Sequence, residues 1–156
     1  MMNSNFPPKW VVCVGTVVLK QDQVLFIRQA EGQSLAGQWS IPWGFVDNNE
    51  TPEHAAVRET QEESGIHAEV EGLLGIQNLQ PGWMAVIFLC QHLAGEPTPD
   101  GVETDRARYL SVEAIAAFEQ PIAPWCAWIA RRVLAQVHTC IPLETAHPLQ
   151  PKTAFL

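Results

Sequence analysis

Three glutamates, Glu59, Glu62 and Glu63, fall at helical spacing in the stretch RETQEESGI, which runs from Arg58 to Ile66. At about 100° per residue, Glu62 lies about 60° to one side of Glu59 and Glu63 about 40° to the other. The three carboxylates would therefore share one face of a helix. Like charges on neighbouring turns repel each other, so a folded protein gains from this arrangement only if something positive lies between them.

Carboxylate oxygens are the ligands that hard divalent cations prefer. Magnesium takes oxygen ligands in near-octahedral geometry and usually keeps several waters, which leaves positions for substrate phosphates. Ala55 and Ala56 fall on the same arc one turn earlier, so no bulky side chain blocks the acidic face. For three glutamates alone, a solvated acidic helix face is an equally good interpretation.

The spacing of the glutamates relative to other residues between Gly44 and Ile66 favours the metal site. The glutamates belong to a longer pattern made of Gly44, Glu50, Arg58-Glu59, Glu62-Glu63, Gly65 and Ile66. This pattern resembles the signature box of the Nudix hydrolases at every charged and glycine position, and it would recur by chance in well under about one chain in a million. The resemblance implies an α/β fold, the Nudix α/β/α sandwich with a mixed β-sheet, and metal-dependent hydrolysis of a nucleoside diphosphate linked to another group.

The resemblance also implies roles for single residues. Glu59, Glu62 and Glu63 match the family's metal-binding and base-supplying glutamates, and the carbonyl before or at Gly44 matches a backbone metal contact. Mg²⁺ is the implied cofactor, with Mn²⁺ as the alternative.

Further roles come from residues around and beyond the glutamates. Arg58 and Glu50 match the pair that orients the cluster, and Gly65 ends the helix. Glu103 lies in the loop from which several branches of the family supply a catalytic base. The general base could therefore be Glu59, Glu62 or Glu103, and a solvated loop acid is the alternative for Glu103.

Residues for substrate binding are suggested less strongly. Trp43 replaces the first of the two glycines that the family commonly has after the proline, which places a large ring near the site. Trp43 and Trp83 are candidates for stacking on a base, because aromatic stacking tolerates any base. Arg28 at the end of a strand could hold a phosphate, although a surface arginine there is equally common. Trp125 and Trp128 at helical spacing favour core packing.

Residue patterns predict the elements that must position these side chains. Valine-rich segments predict strands, and Thr51 followed by Pro52 predicts a helix start, with Gly65 as the stop. The predicted elements are strands Trp10–Lys20 and Val24–Gln29, an irregular strand in Trp39–Val46, a helix to about Ser64, strands His67–Leu79 and Trp83–Leu93, a loop Ala94–Asp105, a short strand, a short helix and a final helix Pro124–Val137.

The composition limits the classes of protein. With 156 residues, the chain suits a single domain, 1–156, with a core from about 9 to 137 and a loosely ordered tail from 138 to 156. The net charge of −8 argues against a nucleic-acid binder. Four scattered cysteines form no zinc pattern, and no apolar run is long enough for a membrane span. We expect a cytoplasmic protein, and a homodimer is left open.

The expected partner is a small nucleotide. The acidic loop and the tryptophans near the glutamates favour, slightly, a nucleotide sugar such as ADP-ribose. Two alternatives stay open: a nucleoside triphosphate pyrophosphohydrolase, and a non-catalytic Nudix-fold module that senses a nucleotide. Intact Arg58, Glu59, Glu62 and Glu63 favour the enzyme, because a sensor has no need of a complete metal cluster.

Overall fold

The structure is a computed structural model that describes residues 9–142. Four strands precede one long helix and three strands follow it. Two further helices and a short strand come after them. The elements are β1 Val11–Lys20, β2 Gln23–Gln29, β3 Trp39–Ser40, β4 Trp43–Phe45, α1 Pro52–Ser64, β5 His67–Gln80, β6 Trp83–Ala94, β7 Thr104–Leu110, α2 Val112–Ala116, α3 Pro124–Leu134 and β8 Ile141–Pro142.

All described strands join one mixed sheet of eight strands. Its main path runs β3-β2-β1-β6-β5-β8, with β4 paired to β1 and β7 paired to β2. The pair β1–β6 is parallel, and the other ladders are antiparallel. β1 is buried along most of its length, which explains its run of valines.

The sheet carries a hydrophobic core on each face. One core packs α2 and α3 against residues such as Phe26 and Ile87, and the other packs Ala55 and Ala56 of α1 against residues such as Leu25 and Phe88. Helices therefore cover both faces of the sheet. This layered α/β/α arrangement confirms the predicted fold class.

Local capping fixes both ends of α1. The Thr51 hydroxyl accepts a hydrogen bond from the His54 N–H at 3.3 Å, and Pro52 occupies the first turn, where no amide donor is needed. Gly65 ends the helix in the left-handed conformation, with φ of 70°. The predicted bounds of this helix are confirmed, and they fix the rotation of its glutamates.

The structure differs from the sequence-based expectations in three places. Trp39–Val46 forms two short strands, β3 and β4, separated by Ile41 and Pro42. Trp128 was expected in the core, but it is 58% exposed because α3 packs only its other face on the sheet. In the predicted tail, Ile141–Pro142 pair with β5, and residues 143–156 lie outside the described part of the chain.

Among the described residues, no helix has the length and the apolar content that a membrane crossing requires.

Candidate active site

The three glutamates of α1 differ strongly in their exposure. Glu63 is 3% exposed and Glu59 is 8% exposed, whereas the side chain of Glu62 is 59% exposed. This gradient follows from the helix rotation, because Glu59 and Glu63 face the sheet and Glu62 lies at the edge of the contact. The cluster thus has two inner carboxylates and one outer carboxylate.

Glu63 is held by the backbone of β4. One of its carboxylate oxygens accepts a hydrogen bond from the Trp43 N–H at 2.8 Å. Burial raises the pKa of Glu63 to about 8, and the Trp43 hydrogen bond opposes this shift only in part. A buried carboxyl group with such a raised pKa is a candidate functional group, and a cation bound there would displace its proton.

Glu59 depends on the absence of a side chain at Gly44. A Cβ atom at Gly44 would lie 2.0 Å from the Glu59 carboxyl carbon and 2.2 and 2.3 Å from its two oxygens. The pairing of Gly44 with Val14 of β1 fixes this close approach. Only glycine at this position lets the Glu59 carboxylate keep its place. Burial raises the pKa of Glu59 as well, against the effect of Arg58.

Arg58 supplies the positive charge between the glutamates. One of its terminal nitrogens, Nη1, donates to Glu59 at 2.8 Å and to Glu62 at 3.0 Å. Its Nε and Nη2 donate to the two oxygens of Glu50 at 3.0 and 2.9 Å, and Nη2 also donates to the Phe45 carbonyl. These hydrogen bonds hold the pKa of Glu50 below its usual range. One guanidinium thus links three carboxylates, which relieves their repulsion.

The cluster fits a hard divalent cation in its chemistry. All its side-chain donors are carboxylate oxygens, and the Arg58 guanidinium shows that the space between Glu59 and Glu62 accommodates positive charge. Within residues 9–142, no three His, Cys, Asp or Glu side chains converge on a common metal position. Glu63 turns toward Trp43 while Glu59 and Glu62 turn toward Arg58, so a cation would draw the carboxylates together.

A loop places Glu103 near this cluster. The Asp100 carboxylate accepts hydrogen bonds from the N–H groups of Val102, Glu103 and Thr104, which fixes the turn. The Thr104 hydroxyl donates to the Glu63 carbonyl at 2.6 Å. Burial is the main cause of the raised pKa of Glu59 and Glu63. The charge of a neighbouring glutamate of α1, and after it the charge of Glu103, raises the pKa of each further. The loop and the helix therefore form one acidic group.

A cavity of about 160 Å³ lies beside Trp43, the residue that precedes Gly44. Trp43 and Trp125 line it together with polar side chains of Gln38, Ser40 and Gln77. Ser40 is 5% exposed, and its hydroxyl has no hydrogen-bond partner among the described residues. Sequence analysis identified Trp43 but missed Ser40, because nothing marks a single serine in a two-residue strand. An unpaired buried hydroxyl is costly unless a water or a ligand pairs with it.

The two other predicted substrate contacts lie elsewhere. Trp83 packs edge-on against Phe45, with ring centroids 5.9 Å apart, and it does not line the cavity beside Trp43. Arg28 donates both arms of its guanidinium to Asp105 at 2.7 Å, on the sheet face that carries α2 and α3. The structure does not bring either residue to the glutamates, and their roles in substrate binding stay predictions.

The sandwich fold and its carboxylate cluster occur together in a known family. Residues 9–129 match the NUDIX domain family, and the chain belongs to the Nudix hydrolases, which act on phosphorus-containing acid anhydrides. It resembles the crystal structure of a NUDIX hydrolase from Nitrosomonas europaea with a TM-score of 0.72 and 24% identity, covering 84% of this chain and 73% of that one. This likeness supports the fold.

Three curated relatives have similar sequences. A MutT-like protein of Streptomyces ambofaciens is 32% identical, over 72% of this chain and 80% of its own length. The human 8-oxo-dGDP phosphatase NUDT18 is 34% identical, over 54% of this chain and 26% of its own. An ADP-ribose pyrophosphatase of Methanocaldococcus jannaschii is 30% identical, over 54% of this chain and 53% of its own. The chain thus spans most of the first relative and about half or less of the other two.

Proposed function

We propose that this protein is a Mg²⁺-dependent pyrophosphohydrolase that cleaves the phosphoanhydride bond of a nucleoside diphosphate derivative. One observation about Trp43 carries the proposal. Its backbone N–H holds Glu63 of the carboxylate cluster, and its indole lines the cavity. Trp43 therefore connects the carboxylate cluster to a cavity suited to a planar ring. Phosphates at the cluster and a base in the cavity would then belong to one ligand.

Glu59, Glu62, Glu63 and the carbonyl at Gly44 would hold the cation. When bound, Mg²⁺ neutralises phosphate charge and lowers the pKa of the attacking water, and Mn²⁺ would serve in the same way. Arg58 and Glu50 orient the carboxylates through the hydrogen bonds that join them. These hydrogen bonds hold the carboxylates in place while the bound cation interacts with the substrate phosphates.

One carboxylate must remain free to take a proton from water. Arg58 engages Glu59 and Glu62, whereas Glu103 is exposed and forms no ion pair with any described residue. Glu103 is therefore our first candidate for the general base. Glu59 and Glu62 are the alternatives.

The cavity beside Trp43 supports a ring-bearing substrate. Its volume of about 160 Å³ is smaller than the roughly 300–1,000 Å³ of a complete ligand pocket, so it suits one ring system of a larger substrate. Ser40, Gln38 and Gln77 offer hydrogen bonds to the edge of a base. Two relatives are named for 8-oxo-dGDP and ADP-ribose, which supports a nucleoside diphosphate group. We favour ADP-ribose or another nucleotide sugar.

A substrate panel tests the function. Purified protein with Mg²⁺ is incubated with ADP-ribose, other nucleotide sugars, nucleoside diphosphates, dinucleoside polyphosphates, and common and oxidised triphosphates, and the products are identified by mass. We expect two monophosphates from a nucleotide sugar. Pyrophosphate released from a triphosphate, with nucleotide sugars untouched, would instead support the triphosphate alternative. Tight binding of one compound without turnover would support a sensing module.

A further inference from the structure

Three arginines line a separate cavity of about 470 Å³. The lining consists of Arg28 of β2, the core residue Trp39, the β7 residues Arg106, Ala107 and Arg108, and Gln120. The ladder between β2 and β7 places Arg28 opposite Arg106 and Phe26 opposite Arg108. Phe26 belongs to the core beneath α2 and α3, so this arginine cavity opens on the face away from α1. It is not part of the carboxylate cluster.

The cavity concentrates positive charge in an acidic protein. It holds three of the nine Lys and Arg residues of a chain whose net charge is −8. Asp105 neutralises Arg28, but Arg106 and Arg108 form no ion pair with any side chain in residues 9–142. Like charges directly opposite on paired strands destabilise a sheet, so the pairing of Arg28 with Arg106 has a cost. A bound anion would remove that cost.

Neighbouring side chains determine the positions of the hydrogen-bond donors in the cavity. The Arg108 guanidinium lies 6.0 Å from the ring centroids of both Trp39 and Phe118, within cation–π range. The Trp39 indole N–H donates to the Gln120 side-chain oxygen at 2.7 Å, which occupies one acceptor position of that oxygen and leaves the amide N–H groups of Gln120 able to donate. No carboxylate of the described residues lines the cavity. Most of its polar groups are therefore donors, which suits a ligand that accepts hydrogen bonds.

We propose that the arginine cavity is a second anion site that binds the phosphate group of a small phosphorylated ligand. Guanidinium groups bind phosphate oxygens in pairs through their planar forks. Arg106 and Arg108, which form no ion pair with a described side chain, would be the principal ligands of the oxyanion, and Arg28 stays paired with Asp105 at the edge of the cavity. The site is independent of the proposed catalysis, because it lies on the opposite face of the sheet and requires no metal ion.

Calorimetric titration of the full chain tests this site. Pyrophosphate, inorganic phosphate and AMP are titrated in the presence of EDTA, so that no divalent cation can hold phosphate at the glutamates. We expect saturable binding with one site per chain. Comparison of AMP with inorganic phosphate shows whether a nucleotide or a free phosphate is the better source of the anion.

Arg106→Gln is the test variant, because Arg106 is exposed and its replacement leaves the core intact. We expect about tenfold weaker binding, since the variant loses a charge-assisted hydrogen bond to the anion. Arg131→Gln removes one exposed charge from α3, outside the cavity, and should leave binding unchanged. No saturable binding at millimolar ligand, or equal weakening in both variants, would overturn the proposal.

Discussion

Gly44 and Glu59 are in such close contact that the backbone of one defines the position of the other. A Cβ at Gly44 would lie 2.0 Å from the Glu59 carboxyl carbon. The obstructing atoms belong to the far end of a flexible side chain, so the carboxylate can move aside without unfolding the protein. Gly44 therefore controls a functional geometry more than it controls stability.

The first prediction concerns Gly44→Ala. The added methyl group should displace the Glu59 carboxylate, lower kcat/KM by at least about 10²-fold and weaken metal binding, while the melting temperature changes little. Gly75→Ala is the matched control, because a Cβ there meets no atom within 4 Å. Kinetics, metal titration and thermal denaturation of both variants check the result. Full activity in Gly44→Ala would show that the exact place of Glu59 is unimportant.

The second prediction concerns Glu62→Gln. The side chain is exposed, so the fold should be unaffected, but the loss of a charged ligand should lower the rate by at least about 10²-fold. Chelation should abolish turnover of the wild type. Glu69→Gln, which neutralises an exposed carboxylate on β5, should have wild-type activity. Undiminished turnover of Glu62→Gln would contradict the proposed metal site.

The third prediction concerns Ser40→Ala. Removal of a buried hydroxyl without a partner should leave the free energy of unfolding unchanged or raise it by about 1 kcal/mol. The same change should alter the relative kcat/KM for substrates with different bases by about tenfold. Ser34→Ala in the exposed loop serves as the control. An unaltered substrate ranking would remove Ser40 from base recognition.

The fourth prediction concerns Glu103→Gln. If Glu103 takes the proton from water, kcat should fall by about 10²- to 10⁴-fold. Metal affinity should change much less than kcat. A rate equal to that of the wild type would assign the general base to Glu59 or Glu62.

The fifth prediction concerns Glu50→Gln and acid stability. Arg58 lowers the pKa of Glu50 in the folded protein, so the stabilisation is complete above the unfolded pKa of 4.5 and is lost as the pH falls through the lower folded pKa. The variant should be less stable by about 1–3 kcal/mol at pH 7. This difference should shrink toward pH 3 in urea denaturation. A difference that is constant with pH would show that Arg58 does not stabilise ionised Glu50.

Local signals predicted α1, its caps and the rotation of its glutamates. The signature spacing also identified Arg58 and Glu50, whose hydrogen bonds the structure describes. The arginine cavity was beyond sequence analysis, because Arg28 and Arg106 meet only through the register of two distant strands. Ser40 was missed for a related reason, since its burial depends on how β3 packs beside Trp125. The exposure of Trp128 depends on how much of α3 the sheet covers, which helical spacing does not encode.

The loop between β6 and β7 is attached to the end of α1, which bears on its resistance to proteolysis. Surface connections of this length are common sites of proteolytic cleavage. Here, however, the Thr98 N–H donates to the Ser64 carbonyl at 2.7 Å and the Thr104 hydroxyl donates to the Glu63 carbonyl. If the loop opened to admit a protease, the Glu63 and Ser64 carbonyls at the end of α1 would lose these hydrogen bonds. We therefore expect the segment that carries Glu103 to resist digestion for as long as the helix that carries the other glutamates stays folded.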